Sequence, residues 1–94
     1  MGNIIPNTIS KELEARAKRI WKLRQLTGLI RMDFAKRYSL DIDKLKKWEE
    51  PTGDDISSQE AKELIVALKK EGIHCSEEWI LQGLGNAPEI RMSF

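Results

Sequence analysis

Ninety-four residues are enough for one compact domain with a single core. Hydrophobic residues make up 40% and charged residues 33%, which excludes a disordered chain. No apolar run approaches the roughly 20 residues needed to span a bilayer, and no signal-peptide pattern opens the chain. The single cysteine, Cys75, cannot form an internal disulfide, so a cytoplasmic setting is expected. The net charge of +1 conceals an asymmetry. Residues 16–47 carry eleven Lys or Arg against three Asp, whereas residues 48–94 carry four basic and ten acidic groups. A basic half joined to an acidic half predicts a polyanion-facing surface with its acidic back turned away. The alternative is that the lysines only solvate helix backs.

Met1–Asn7 lacks periodicity and contains Pro6, so residues 1–8 read as an irregular lead-in. The first helix is expected to begin near Thr8 or Ser10 and to run to Thr27, where Gly28 stops it. Leu13, Ala17, Ile20 and Arg24 fall on one stripe at spacings of four, three and four. Arg24 therefore stands where an apolar residue belongs and requires an acidic partner, since an unpaired buried charge is costly. Glu49 is the candidate. Trp21 and Leu23 flank the stripe and are expected to be partly buried.

Gly28 to Glu49 reads as two short helices joined by a tight turn, a helix-turn-helix unit. Phe34, Ala35 and Tyr38 give one apolar face, and Leu45 and Trp48 another. The small Ala35 permits a close crossing. Asp41 is suited to cap the second helix, and Leu40 with Leu45 makes a hydrophobic staple. An ordinary helical hairpin remains the plainer reading of the same pattern.

Glu50-Pro51-Thr52-Gly53-Asp54-Asp55 is a breaker cluster and hence a loop. Ser57 and Glu60 form a capping box for a helix whose apolar stripe is Ala61, Leu64, Ile65 and Leu68 and which ends at Gly72. Ile73 is placed to pack back on Leu68. Ser76 caps a short last helix, with Glu77 and Glu78 at its positive end and Trp79, Ile80 and Leu84 as anchors. Gly83 and Gly85 end it. Residues 86–94 contain Pro88 and no helical pattern, and read as a tail or the start of a linker.

In this order and spacing the residues resemble the Cro and phage-repressor type of helix-turn-helix domain. The resemblance runs through Arg19-Ile20-Trp21-Lys22-Leu23-Arg24, Gly28-Leu29, Phe34-Ala35, Leu40, Leu45 and Trp48-Glu49. It resumes in Glu63-Leu64-Ile65-Val66-Ala67-Leu68 and Trp79-Ile80-Leu81-Gln82-Gly83. It implies an all-α, compact five-helix domain over residues 9–85 that binds double-stranded DNA, in a bacterial or phage-encoded transcription regulator. The second motif helix, about Ile42 to Glu50, would enter the major groove. By that likeness Ile42, Asp43, Lys46 and Lys47 would face base edges, Lys44 would flank them, and Arg31 would sit at the DNA backbone or groove edge. Arg24 with Glu49 matches the family's structural ion pair. Lysine can donate to guanine O6 and N7, isoleucine can touch a thymine methyl, and aspartate can accept from cytosine N4.

Four features depart from the family pattern. Ser39 stands where the turn usually has glycine, and Ile30 where a Ser or Thr cap is usual. Asp43 sets a negative charge in the reading surface, and Asp54-Asp55 makes the following loop acidic, both of which weaken a grip on phosphate. Two functions from different classes follow. One is a homodimeric regulator on a two-fold operator, its dimer surface around Ile73, Trp79 and Leu84. The other is an antitoxin-like or scaffolding interaction module built on the same fold. A third reading makes the chain the N-terminal piece of a longer regulator.

Nothing in the sequence calls for a metal, a cofactor, a small-molecule ligand or enzymatic chemistry. One His beside one Cys, His74-Cys75, cannot complete a zinc site, and no phosphate-loop pattern is present. Ser76 and Glu78 are a helix start rather than a catalytic pair.

Overall fold

The apolar stripe of the first helix, α1 (Lys11–Thr27), places Ala17, Ile20, Leu23 and Arg24 in the interior. The structure is a computed structural model and describes residues 11–51 and 55–91. The expected lead-in over residues 1–8 and the starts at Thr8 or Ser10 lie outside the described residues, as does Asp54. Leu23 corrects the sequence expectation, being fully buried. It lies three residues beyond Ile20, so it widens the buried arc rather than flanking it. Trp21 is 42% exposed. At the helix end the Thr27 hydroxyl donates to the Arg24 carbonyl at 2.6 Å and accepts the Leu29 amide at 3.0 Å.

Two short helices follow, α2 (Arg31–Arg37) and α3 (Ile42–Glu49). Helix α2 begins at Ile30, which offers no side-chain cap. It closes with the Leu40 amide donating to the Ala35 carbonyl at 2.8 Å and the Ser39 amide to the Lys36 carbonyl at 3.5 Å. This doubly bonded helix ending needs a left-handed residue between cap and exit, normally glycine. Ser39 takes that conformation, at φ 55°. Asp41 then starts α3, accepting the amides of Asp43 and Lys44 at 2.9 and 3.3 Å. Phe34, Ala35, Leu45 and Trp48 join the pair to the core. Each fully buried Phe or Leu contributes about 1.5–3 kcal/mol of transfer free energy.

Helix α4 (Ser58–Lys70) opens with a complete capping box. The Ser57 hydroxyl accepts the Glu60 amide at 3.1 Å while the Glu60 carboxylate accepts the Ser57 amide at 2.9 Å. Its buried stripe is Ala61, Leu64, Ala67 and Leu68, with Ile65 half-buried beside them. A two-residue strand, β1 (Ile73–His74), leads to α5 (Glu77–Gln82), which Ser76 caps through the Trp79 amide at 3.0 Å.

The segment 86–94 is corrected. It is not wholly a tail, because Glu89–Ile90 form strand β2, antiparallel to β1 with Ile73 opposite Ile90 and His74 opposite Glu89. The Arg91 amide extends the ladder, donating to the Gly72 carbonyl at 2.7 Å. The described residues are thus mostly helical, with five helices and one small sheet. None of the helices among them is long and apolar enough to cross a membrane.

Candidate nucleic-acid interface

Helix α3 is two-faced. Leu45, Trp48 and Glu49 are buried, whereas Ile42, Asp43, Lys44, Lys46 and Lys47 are exposed. Residues 42, 43, 46 and 47 share the outward arc by helical spacing, and the buried set holds the helix from behind. Lys44 leans toward α4, its ammonium 3.4 Å from the Glu60 carboxylate.

The buried face is fixed by an ion pair. Arg24 grips Glu49 with two parallel bonds, Nε to Oε2 at 2.6 Å and Nη2 to Oε1 at 2.8 Å. Its remaining nitrogen, Nη1, donates to the Leu29 carbonyl at 2.8 Å. This bidentate geometry satisfies both buried charges and ties α1 to the end of α3. No buried side-chain nitrogen or oxygen among the described residues lacks a hydrogen-bond partner.

Arg31, expected at the DNA backbone or groove edge, is held by two acids of its own chain. Its Nε lies 3.2 Å from Glu49 Oε1 and its Nη2 3.1 Å from Glu50 Oε2. The acidic end of α3 draws it in, because two adjacent carboxylates outweigh the single charge of Arg24.

The rest of the basic segment is also partly engaged within the fold. Arg16 donates Nε to the Leu81 carbonyl at 2.8 Å and pairs with Asp55. Arg19 donates Nε to the Ile80 carbonyl at 3.1 Å. These two guanidinium groups cap carbonyls at the end of α5, the negative end of its dipole. Burial and the neighbouring Arg16 lower the pKa of Arg19. Arg37 pairs with Glu71 at 3.0 Å, and the Tyr38 hydroxyl also donates to Glu71. The two oppositely charged halves of the sequence therefore meet along a seam, rather than standing back to back. Lys18, Lys22, Lys36, Lys46 and Lys47 remain exposed.

Large apolar side chains also face outward near the unit: Ile30 is 63% exposed, Met32 61% and Ile42 39%. Of the residues expected at a dimer surface, Leu84 is 55% exposed and Trp79 half-buried against the core. Ile73 is corrected: at 1% exposure it is a core residue rather than a surface one.

Among the described residues no three His, Cys, Asp or Glu side chains gather to hold a metal ion. Burial pushes the Cys75 thiol up to about 11, so it stays protonated and weakly nucleophilic at neutral pH. Sequence reasoning missed the Arg31–Glu50 contact and the arginine caps of α5, since neither follows a helical spacing or a local motif. No protein-family model, curated protein or solved structure matches the chain.

Proposed function

We propose that this chain is a sequence-specific DNA-binding regulator of the Cro and phage-repressor type, with α3 as the helix that enters the major groove. The reading rests on one observation: the outward arc of α3 bears Ile42, Asp43, Lys46 and Lys47 in solvent, while its inner face is locked by Leu45, Trp48 and the Arg24–Glu49 pair. A recognition helix needs this combination, a rigid back and a hydrogen-bonding front. Lys46 and Lys47 donate to guanine or phosphate, Ile42 meets a thymine methyl, and Asp43 selects cytosine. Lys44 and Arg31 stand at the flanks. A single module of this size buries too little surface for tight binding. A homodimer on a two-fold operator supplies the rest, with Leu84 and Trp79 at its interface. The setting is the bacterial cytoplasm, and no enzymatic step is required.

A second reading, an antitoxin-like or scaffolding interaction module, draws on the exposed Ile30, Met32 and Ile42 beside Asp43. Apolar side chains exposed on a folded surface favour a protein partner over phosphate. Titrating a random-sequence duplex at several salt concentrations separates the two. A DNA binder shows a steep log–log fall in affinity with salt, and changing Lys46 and Lys47 together to Glu abolishes binding. Absence of duplex binding at low salt by the folded protein rejects the first reading in favour of the second.

A further inference from the structure

Arg31 is held by more negative charge than the ion pair beneath it needs. Glu49 is already satisfied on both oxygens by Arg24, at 2.6 and 2.8 Å, so Arg31 is the longer, supernumerary contact at 3.2 Å. What fixes its outer edge is Glu50, whose Oε2 lies 3.1 Å from Nη2. The two members of this outer pair differ from the inner one in burial, with 26% of the Arg31 side chain and 43% of the Glu50 side chain exposed. A pair that open to water is weak and exchangeable. Glu50 is also the cap residue that ends α3, already extended at φ −123° and ψ 127°, so its side chain is not committed to helix packing.

The geometry points to Glu50 as a mask on Arg31: the carboxylate occupies the guanidinium edge that a phosphate oxygen would otherwise take, and it is exchanged for phosphate when a duplex arrives. This rests on the proposed DNA-binding function and assigns Glu50 a restraining part in it. The contact works against non-specific affinity, since the Arg31–Glu50 pair must be broken before the guanidinium meets a phosphate. Such a mask lowers retention on arbitrary sequence while leaving the base-facing side chains of α3 untouched. Arg24 keeps Glu49 neutralised throughout, so the exchange does not expose a buried charge.

The test is a double-mutant cycle read by duplex titration, with the wild type, Glu50→Gln, Arg31→Ala and the double variant compared on one random-sequence duplex across salt. Glu50→Gln is expected to tighten binding about threefold at ~50 mM salt, the cost of an exposed pair, with the log–log salt slope nearly unchanged because the same phosphates are neutralised. In the Arg31→Ala background the same change is expected to have little effect. Thermal melts confirm that each variant is folded. A gain of equal size with and without Arg31 would show general charge repulsion and overturn the mask, as would a slope in Glu50→Gln steeper by a full unit, which would mean that the wild-type Arg31 never reaches a phosphate. If wild type binds the duplex and Glu50→Gln binds no better, the mask falls and the DNA-binding reading stands. If neither protein binds at low salt, the DNA-binding reading falls, and the mask with it.

Discussion

Ser39 occupies a conformation that costs an L-residue energy, at φ 55° between the end of α2 and Leu40. The left-handed geometry is imposed by the paired bonds from Leu40 to Ala35 and from Ser39 to Lys36, which cannot both close otherwise. Ser39→Gly removes the steric cost but adds chain entropy to the unfolded state. The net expectation is a gain of about 0.5–1 kcal/mol, read as a higher urea midpoint at unchanged slope. A loss of stability would mean that the serine side chain contributes something the turn geometry does not reveal. At this scale the sequence is legible where a residue breaks a pattern. Arg24 interrupts an apolar stripe and so demands an acid; Ser39 takes a left-handed helix ending that glycine normally fills, and so carries strain. Arg31 breaks no pattern, and the acids that hold it sit 18 and 19 positions away on another helix, so nothing local points to them.

Elements with a repeat are likewise readable, and those without one are not. Helices α1, α3 and α4 declare themselves through stripes, caps and terminal glycines, because a helix buries one face at a fixed period. Strand β2 is two residues long, too short for alternation to register, and only its position opposite β1 gives it structure. Gly72 is the position on which that docking depends. A Cβ there would meet the Arg91 carbonyl oxygen at 2.6 Å, and its φ of 83° already disfavours a side chain. Gly72→Ala is therefore expected to release β2, with loss of hydrogen-exchange protection at the Arg91 amide and destabilisation of about 1 kcal/mol or more. Retained protection at Arg91, despite a lower melting temperature, would place the whole cost in the α4 ending rather than in the strand.

Across the whole molecule the segregated charges act as stitching between α1–α3 and α4–α5. Arg37 and Tyr38 hold Glu71, Lys44 approaches Glu60, and Arg16 pairs with Asp55. Two of these acids are stabilised in their charged form. The Tyr38 hydroxyl, and then Arg37, lower the pKa of Glu71, while the Ser57 amide leads the causes that lower Glu60. A depressed carboxylate pKa means that the folded state binds protons less readily than the unfolded chain. The stability it contributes is complete above the ordinary carboxylate value and is lost as pH falls through the folded one. Tyr38 and Cys75 have the opposite sign. Burial raises both, Cys75 from 9.0 to about 11, so their contribution is complete below the unfolded values and is lost as pH rises through the folded ones. Melting temperature should therefore peak between these limbs. A Glu60→Gln, Glu71→Gln double variant is expected to melt lower at neutral pH yet to lose less on acidification below about pH 4.5, where the wild-type carboxylates titrate. Cys75→Ala should flatten the alkaline limb and leave the acid limb alone. Parallel acid limbs in wild type and the double variant would show that these two carboxylates do not carry the acid sensitivity, and that the stitching is electrostatically neutral to the fold.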